Sequence, residues 1–175
     1  MDNKVAVIYK SKYGSTKKYS GWIAMRLNAD LYEVSDIRNK DLKEYNTIIY
    51  GGGIYASKIN GISFIEKNFH NIKDKRVIIF TVGMESISEE LRKNLIDKNF
   101  SDEIASNITL VNFRGSIFYN ELSIKDKILM KGLKVYIDKK DFRDLTEDDK
   151  LILDSFNKQI DMCDKKSIDK LIELL

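Results

Sequence analysis

The chain has 175 residues, 43% of them hydrophobic and 33% charged, and its formal net charge of +3 is spread as interspersed signs. That size suits a single domain burying about two-thirds of the surface it would expose unfolded, no apolar run approaches the roughly 18 residues that span a bilayer, and no basic run supports nucleic-acid binding. Cys163 is the only cysteine and His70 the only histidine, so neither an intramolecular disulfide nor a cysteine-based metal cluster can form.

Met1-Asp2-Asn3-Lys4 runs into a strand without the basic and apolar segments of a secretory signal, which leads to the expectation of a cytosolic location. The first strand, Val5 to Tyr9, is apolar at odd and even positions alike, as in a parallel sheet covered on both faces. Ser11, Gly14, Ser15 and Thr16 follow it, and a helical pattern begins at once. Unpaired N–H groups and the positive end of a helix dipole attract an anion, and Ser and Thr hydroxyls add donors. Tyr19, Trp22, Ile23 and Leu27 lie at helical spacing and define a first helix from Thr16 to about Asn28, with Trp22 in its core stripe.

Leu31–Val34 reads as a second, edge strand, and Asp41 to Tyr45 allows only a short helical turn. Thr47–Tyr50 is a third strand, expected to end in a ligand-facing loop, Gly51-Gly52-Gly53-Ile54-Tyr55-Ala56, because α/β sheets bind ligands at the carboxyl ends of their strands. Ile59, Ile62, Ile65, Phe69 and Ile72 mark an amphipathic helix with His70 at its surface. Arg76–Val82 is a central strand that gives way to Gly83-Met84-Glu85-Ser86. Ser86 or Ser88 then caps a helix carrying Ile87, Leu91 and Leu95, and Asn107–Phe113 is the fifth strand.

This alternation predicts a doubly wound α/β sandwich of three layers, with five parallel strands in the order 2-1-3-4-5. Beyond it, about 114–140 is more chain than one connection needs, with a helical stretch from Ser123 to Tyr136. A helix from Glu147 to Ile160, capped by Thr146, is expected to cover the sheet. A tail at about 164–175 carries Ile168, Leu171, Ile172 and Leu175 at helical spacing and is stable only if it docks.

The predicted order gathers Ser11–Thr16, Gly51–Ser57 and Gly83–Ser86 at the switch point of the sheet, where a phosphorylated planar ring would satisfy all three. The Gly-x-x-x-x-Gly-Lys-Ser/Thr loop and the Gly-x-Gly-x-x-Gly fingerprint are both missing. A response regulator would need a carboxylate where Tyr50-Gly51 stands.

Ser11-Lys12-Tyr13-Gly14-Ser15-Thr16 resembles the FMN phosphate loop of the flavodoxin family, and the similarity extends over most of the chain. The resemblance implies a flavodoxin-like fold with FMN held by Ser11, Lys12, Tyr13, Gly14, Ser15, Thr16, Gly52, Gly53, Ile54, Tyr55, Ala56, Gly83, Met84 and Glu85. It also implies Tyr55 against the isoalloxazine ring and Gly52 or Gly53 as the peptide facing N5. Ile49–Ala56, Phe80–Met84 and Asn112–Tyr119 are most similar to menaquinone-dependent protoporphyrinogen oxidases. That narrower resemblance implies oxidation of a porphyrinogen with a quinone acceptor, Arg114 meeting a propionate, Phe118 or Tyr119 covering a ring, and contact with a membrane surface. A flavodoxin-type electron carrier serving a redox partner protein is the alternative, and a flavin-free binding module on the same fold is another. The slightly basic charge and a fourth-strand loop offering only Met84, with no second aromatic, separate this chain from strongly acidic carriers.

Overall fold

The computed structural model describes residues 4–175, the side chains of 39 and 40 excepted, and the segment 1–3 that bears on a secretory signal lies outside the described residues. Strand β1 (Val5–Lys10) is buried from Val5 through Tyr9, as expected of a strand with helices on both faces. It pairs in parallel with β2 (Asp30–Glu33) on one side and β3 (Thr47–Tyr55) on the other. A two-residue strand, β4 (Lys58–Ile59), folds back on the end of β3. Beyond β3 lie β5 (Arg76–Gly83) and β6 (Ile108–Arg114), both parallel to it. The order β2-β1-β3-β5-β6 is the expected 2-1-3-4-5 once the hairpin strand is counted.

Alternation along β1 sends Ala6 and Ile8 to one core and Val5 and Val7 to the other. The first core is closed by α2 (Ser63–Ile72), α3 (Glu89–Asn99) and the short α4 (Asp102–Ala105), through Phe64, Phe69, Leu95 and Ile104. The second is closed by α1 (Ser15–Leu27), whose Tyr19 stacks on Phe113 at 4.6 Å. Trp22 packs edge-on against Tyr19 at 5.2 Å, in the core stripe as the spacing indicated. After β6 come β7 (Ser116–Ile117), α5 (Ile124–Ile137), α6 (Glu147–Asp154) and β8 (Ile160–Asp161). The tail docks: Ile168 and Leu171 of a turn and α7 (Asp169–Ile172) are buried against the α1 face.

Three expectations need correction. Gly51-Gly52-Gly53-Ile54-Tyr55 is strand, not loop: the glycines continue the ladder to β5, and Gly51 lies beside the Phe80 ring, with which any Cβ there would collide. The chain then reverses through Ala56 (φ 48) and Ser57 (φ 62), a two-residue hairpin turn that demands positive φ at both central positions. Non-glycine residues in that region cost roughly 1–2 kcal/mol each. Second, the amphipathic helix starts at Ser63, because Ile59 is used in β4 opposite Ile54. Third, the helix from Glu147 ends at Asp154, and Ile160 instead pairs with Ile117 in the β7–β8 ribbon.

Candidate functional site

The carboxyl ends of β1, β3 and β5 open into a cleft of about 470 Å³, within the range typical of small-molecule sites. At its polar end the chain leaves β1, turns at Gly14 (φ 95) and enters α1. Ser11 Oγ accepts from the Gly14 N–H at 3.1 Å. The first main-chain bond of α1 runs from Lys18 N to Gly14 O, so the N–H groups of Ser15, Thr16 and Lys17 have no acceptor among the described residues. No side chain caps this helix, and its first turn holds no acidic residue. Thr16 is buried at the cleft wall, and its hydroxyl has no partner among the described residues. A helix start with free N–H groups, a free hydroxyl and no competing carboxylate of its own has the donors and the dipole to hold an anion.

The sequence-predicted residues divide. Ser11, Tyr13, Ser15, Thr16, Gly53 and Ile54 line the cleft, as do Tyr55, Ala56, Gly83, Met84 and Glu85; Lys12, Gly14 and Gly52 do not. The Ser15 hydroxyl is bound to Ser116, 2.7 Å from its Oγ and 3.1 Å from its N, which ties the start of α1 to β7. The Gly53 carbonyl accepts from Asn60 N at 2.8 Å, and Gly52 and Gly53 both lie in the β3–β5 ladder, so a peptide flip at either would give up strand pairing. Tyr55 sits edge-on to Tyr13, centroids 6.2 Å apart. Burial pushes its hydroxyl up to about 12, although the Lys12 ammonium opposes the shift; Tyr55 is therefore a neutral phenol at neutral pH.

Arg114 is committed elsewhere. Its Nη2 donates to Met84 O at 2.8 Å and pairs with Asp148 on α6, while Asp148 Oδ2 accepts from Ser86 N at 2.9 Å. Asn112 reaches Glu85 O and accepts from Thr81 Oγ1 at 2.8 Å. These bonds fix the loop from Gly83 to Ser86, so Arg114 shapes the cleft wall and does not present a cation to a propionate. Tyr119 packs on Phe156 at 4.6 Å, and Phe118 lies in a small side depression beside Leu122; neither lines the main cleft.

The residues that sequence reasoning missed come from the later helices. Ile87, Leu91 and Leu95 make the apolar far wall, Met130 and Leu133 of α5 cover it, and Ile152 of α6 closes the end. Asp126, in the first turn of α5, is buried and accepts from Lys12 Nζ and Tyr13 OH, while Ser123 N donates to Tyr13 OH at 3.1 Å. Burial of Asp126 opposes its charge, but the bonds from Lys12, Tyr13 and Ser123 prevail and hold the carboxyl below its usual range. Its contact with a loop more than a hundred residues earlier left no local signal in the sequence.

A family model described as a flavodoxin domain matches residues 6–144. An uncharacterised protein of Methanocaldococcus jannaschii is 31% identical over 97 residues, which is 54% of this chain and 65% of that one, so under two-thirds of the relative is spanned. Among solved structures, a flavodoxin from the domain Archaea aligns with a TM-score of 0.47 and 16% identity, covering 87% of this chain and 95% of that one. The Trp repressor binding protein of Bacillus subtilis aligns at 0.49 and 14%, over 64% and 87% of the two chains. The chain belongs to the flavodoxin domain family.

Proposed function

We propose that this flavodoxin-domain protein binds FMN, with the phosphate at the start of α1 and the ring toward Tyr55, and acts as a cytoplasmic FMN-dependent oxidoreductase. The observation that carries the reading is the uncapped start of α1, where the N–H groups of Ser15, Thr16 and Lys17 and the Thr16 hydroxyl converge without partners. FMN would supply hydride or single-electron transfer. The chain's own residues bind and orient: Ser11 and Thr16 offer hydroxyls to a phosphate, Tyr55 and Met84 flank a planar ring, and the apolar wall of Ile87, Leu91 and Leu133 excludes water. Hydrogen bonds to a charged group contribute about 1.5–3 kcal/mol each, enough for a few of them to distinguish FMN from unphosphorylated flavin.

The finer proposal is oxidation of a porphyrinogen with a quinone acceptor, supported by the resemblance around Gly53, Gly83 and Gly115 and by an apolar far wall suited to a flat organic molecule. The Arg114–Asp148 pair favours the second reading, electron carriage to a protein partner, because it removes the cation a propionate would meet. The test begins with the purified protein. Absorbance near that of oxidised flavin, with FMN released on denaturation or taken up from solution, supports the cofactor; a colourless protein that takes up none assigns the cleft to a flavin-free module. FMN-loaded protein is then given protoporphyrinogen and a menaquinone analogue without oxygen. Porphyrin formation supports the enzyme, while its absence together with reduction by a flavodoxin reductase supports the carrier.

A further inference from the structure

Charge is concentrated on α5 and the few residues that follow it. Six lysines and two aspartates lie between Ile124 and Lys140, so the segment alone carries a formal charge of +4, more than the +3 of the whole chain. The inner side of α5 is used: Asp126 and Ile137 are buried, and Met130 and Leu133 line the cleft. The outer side is apolar and uncovered. Ile124 is 80% exposed, Ile128 64% and Val135 56%, at spacings that align them along one face. Tyr136 at 63% and Phe142 at 80% extend the same segment. Around them Lys125, Lys131 and Lys139 are exposed and have no ion-pair partner among the described residues, whereas Lys134 pairs with Asp138 and Lys140 with Asp149.

Bare branched and aromatic side chains ringed by free ammonium groups are the composition of a helix that lies in a lipid interface. We propose that the outer face of α5 together with the chain that follows it to Phe142 docks on an anionic phospholipid surface, with Ile124, Ile128, Val135 and Phe142 entering the acyl boundary and Lys125, Lys131 and Lys139 meeting headgroup phosphates. A second copy of the same face is a poor occupant, since lysines would meet lysines. The exposed side chains of Ile124, Ile128 and Val135 stand one helical turn or more apart, a spacing that a fluid interface accommodates and a preformed protein pocket must match. Docking sets the cover of the cleft against the bilayer, and it depends on no bound cofactor.

The test is sedimentation of the full chain with vesicles of phosphatidylcholine alone or containing one-third phosphatidylglycerol. The protein is expected to pellet with the anionic vesicles at low salt and to be released at high salt. Replacing Lys125, Lys131 and Lys139 together by Gln should lower partitioning roughly a hundredfold, and Ile128→Asp should lower it about tenfold. Met25→Asp, at an exposed apolar residue on α1, should change nothing; circular dichroism establishes that each variant is folded. Protein that stays in the supernatant, binds both vesicles equally, or binds unchanged after the α5 substitutions overturns the proposal. So does a dimer in solution that Ile128→Asp dissociates without any vesicle binding, which would give this face to a second copy.

Discussion

Helices α1 and α5 start at the same cleft, and they start differently. The α5 start is finished within the chain: Ser123 Oγ accepts from the Asp126 N–H, and Asp126 brings a carboxylate into the first turn. The α3 and α6 starts are capped in the same way, by Ser88 and by Thr146. At α1 there is an αL glycine, no cap and no acid. Capping typically contributes about 1 kcal/mol, and a thirteen-residue helix that forgoes it at a cleft wall leaves its donors open to the cleft. The difference separates a helix end completed within the chain from one whose donors are open to a ligand.

The strongest way to break that contrast is to give α1 the acid it lacks. Thr16→Asp should reduce FMN affinity at least a hundredfold, by about 1.5–3 kcal/mol for the lost donor plus repulsion of the phosphate, measured by flavin fluorescence titration. Circular dichroism of the ligand-free variant establishes that it is folded, since Thr16 is buried and a carboxylate there carries a desolvation cost beside its favourable place at a helix N-terminus. Next in size, Tyr55→Ala should cost about tenfold in FMN affinity and shift the visible flavin spectrum, because aromatic contact contributes about 0.5–1.5 kcal/mol beyond area burial.

On the α5 side, Ser123→Ala should leave FMN binding in place and lower stability by about 1 kcal/mol, read by urea unfolding. The Asp126 contacts add a pH dependence. Its carboxyl is held below the usual range in the folded protein, so its stabilisation is present above the unfolded value near pH 4 and is lost as pH falls through the lower folded value. The melting temperature of wild type should exceed that of Asp126→Asn at pH 6, and the gap should narrow as pH falls below the unfolded carboxyl value of about 4. The smallest effect is at the hairpin: Ala56→Gly should stabilise by about 0.5–1 kcal/mol by relieving a positive φ, and a loss of stability there would show that the turn is not strained.

The strand, turn and helix start at α1 were legible in the sequence because every part is local: a two-faced apolar strand, then Ser11, Gly14 and Thr16, then a helix within a dozen residues. The strand order was legible for the same reason, since each crossover follows its own strand. The β3–β4 hairpin was hidden because Ala56-Ser57 carries none of the Gly or Asn that ordinarily marks a two-residue turn, and three consecutive glycines read as loop when one of them instead makes room for Phe80. Arg114 looked free because its partner, Asp148, lies 34 residues on. The α5 cover was invisible for the same cause, as Asp126 meets Lys12 across 114 positions.

Reserved donors at α1 are the central claim, and calorimetric titration of the full chain with FMN and with riboflavin tests it most directly. The two ligands share the ring and differ in the phosphate, so the contacts of Tyr55 and the apolar wall cancel between them. FMN is expected to bind at least tenfold more tightly than riboflavin, a difference of about 1.4 kcal/mol or more. Equal affinities, or binding of neither, would contradict a phosphate site at Ser15, Thr16 and Lys17.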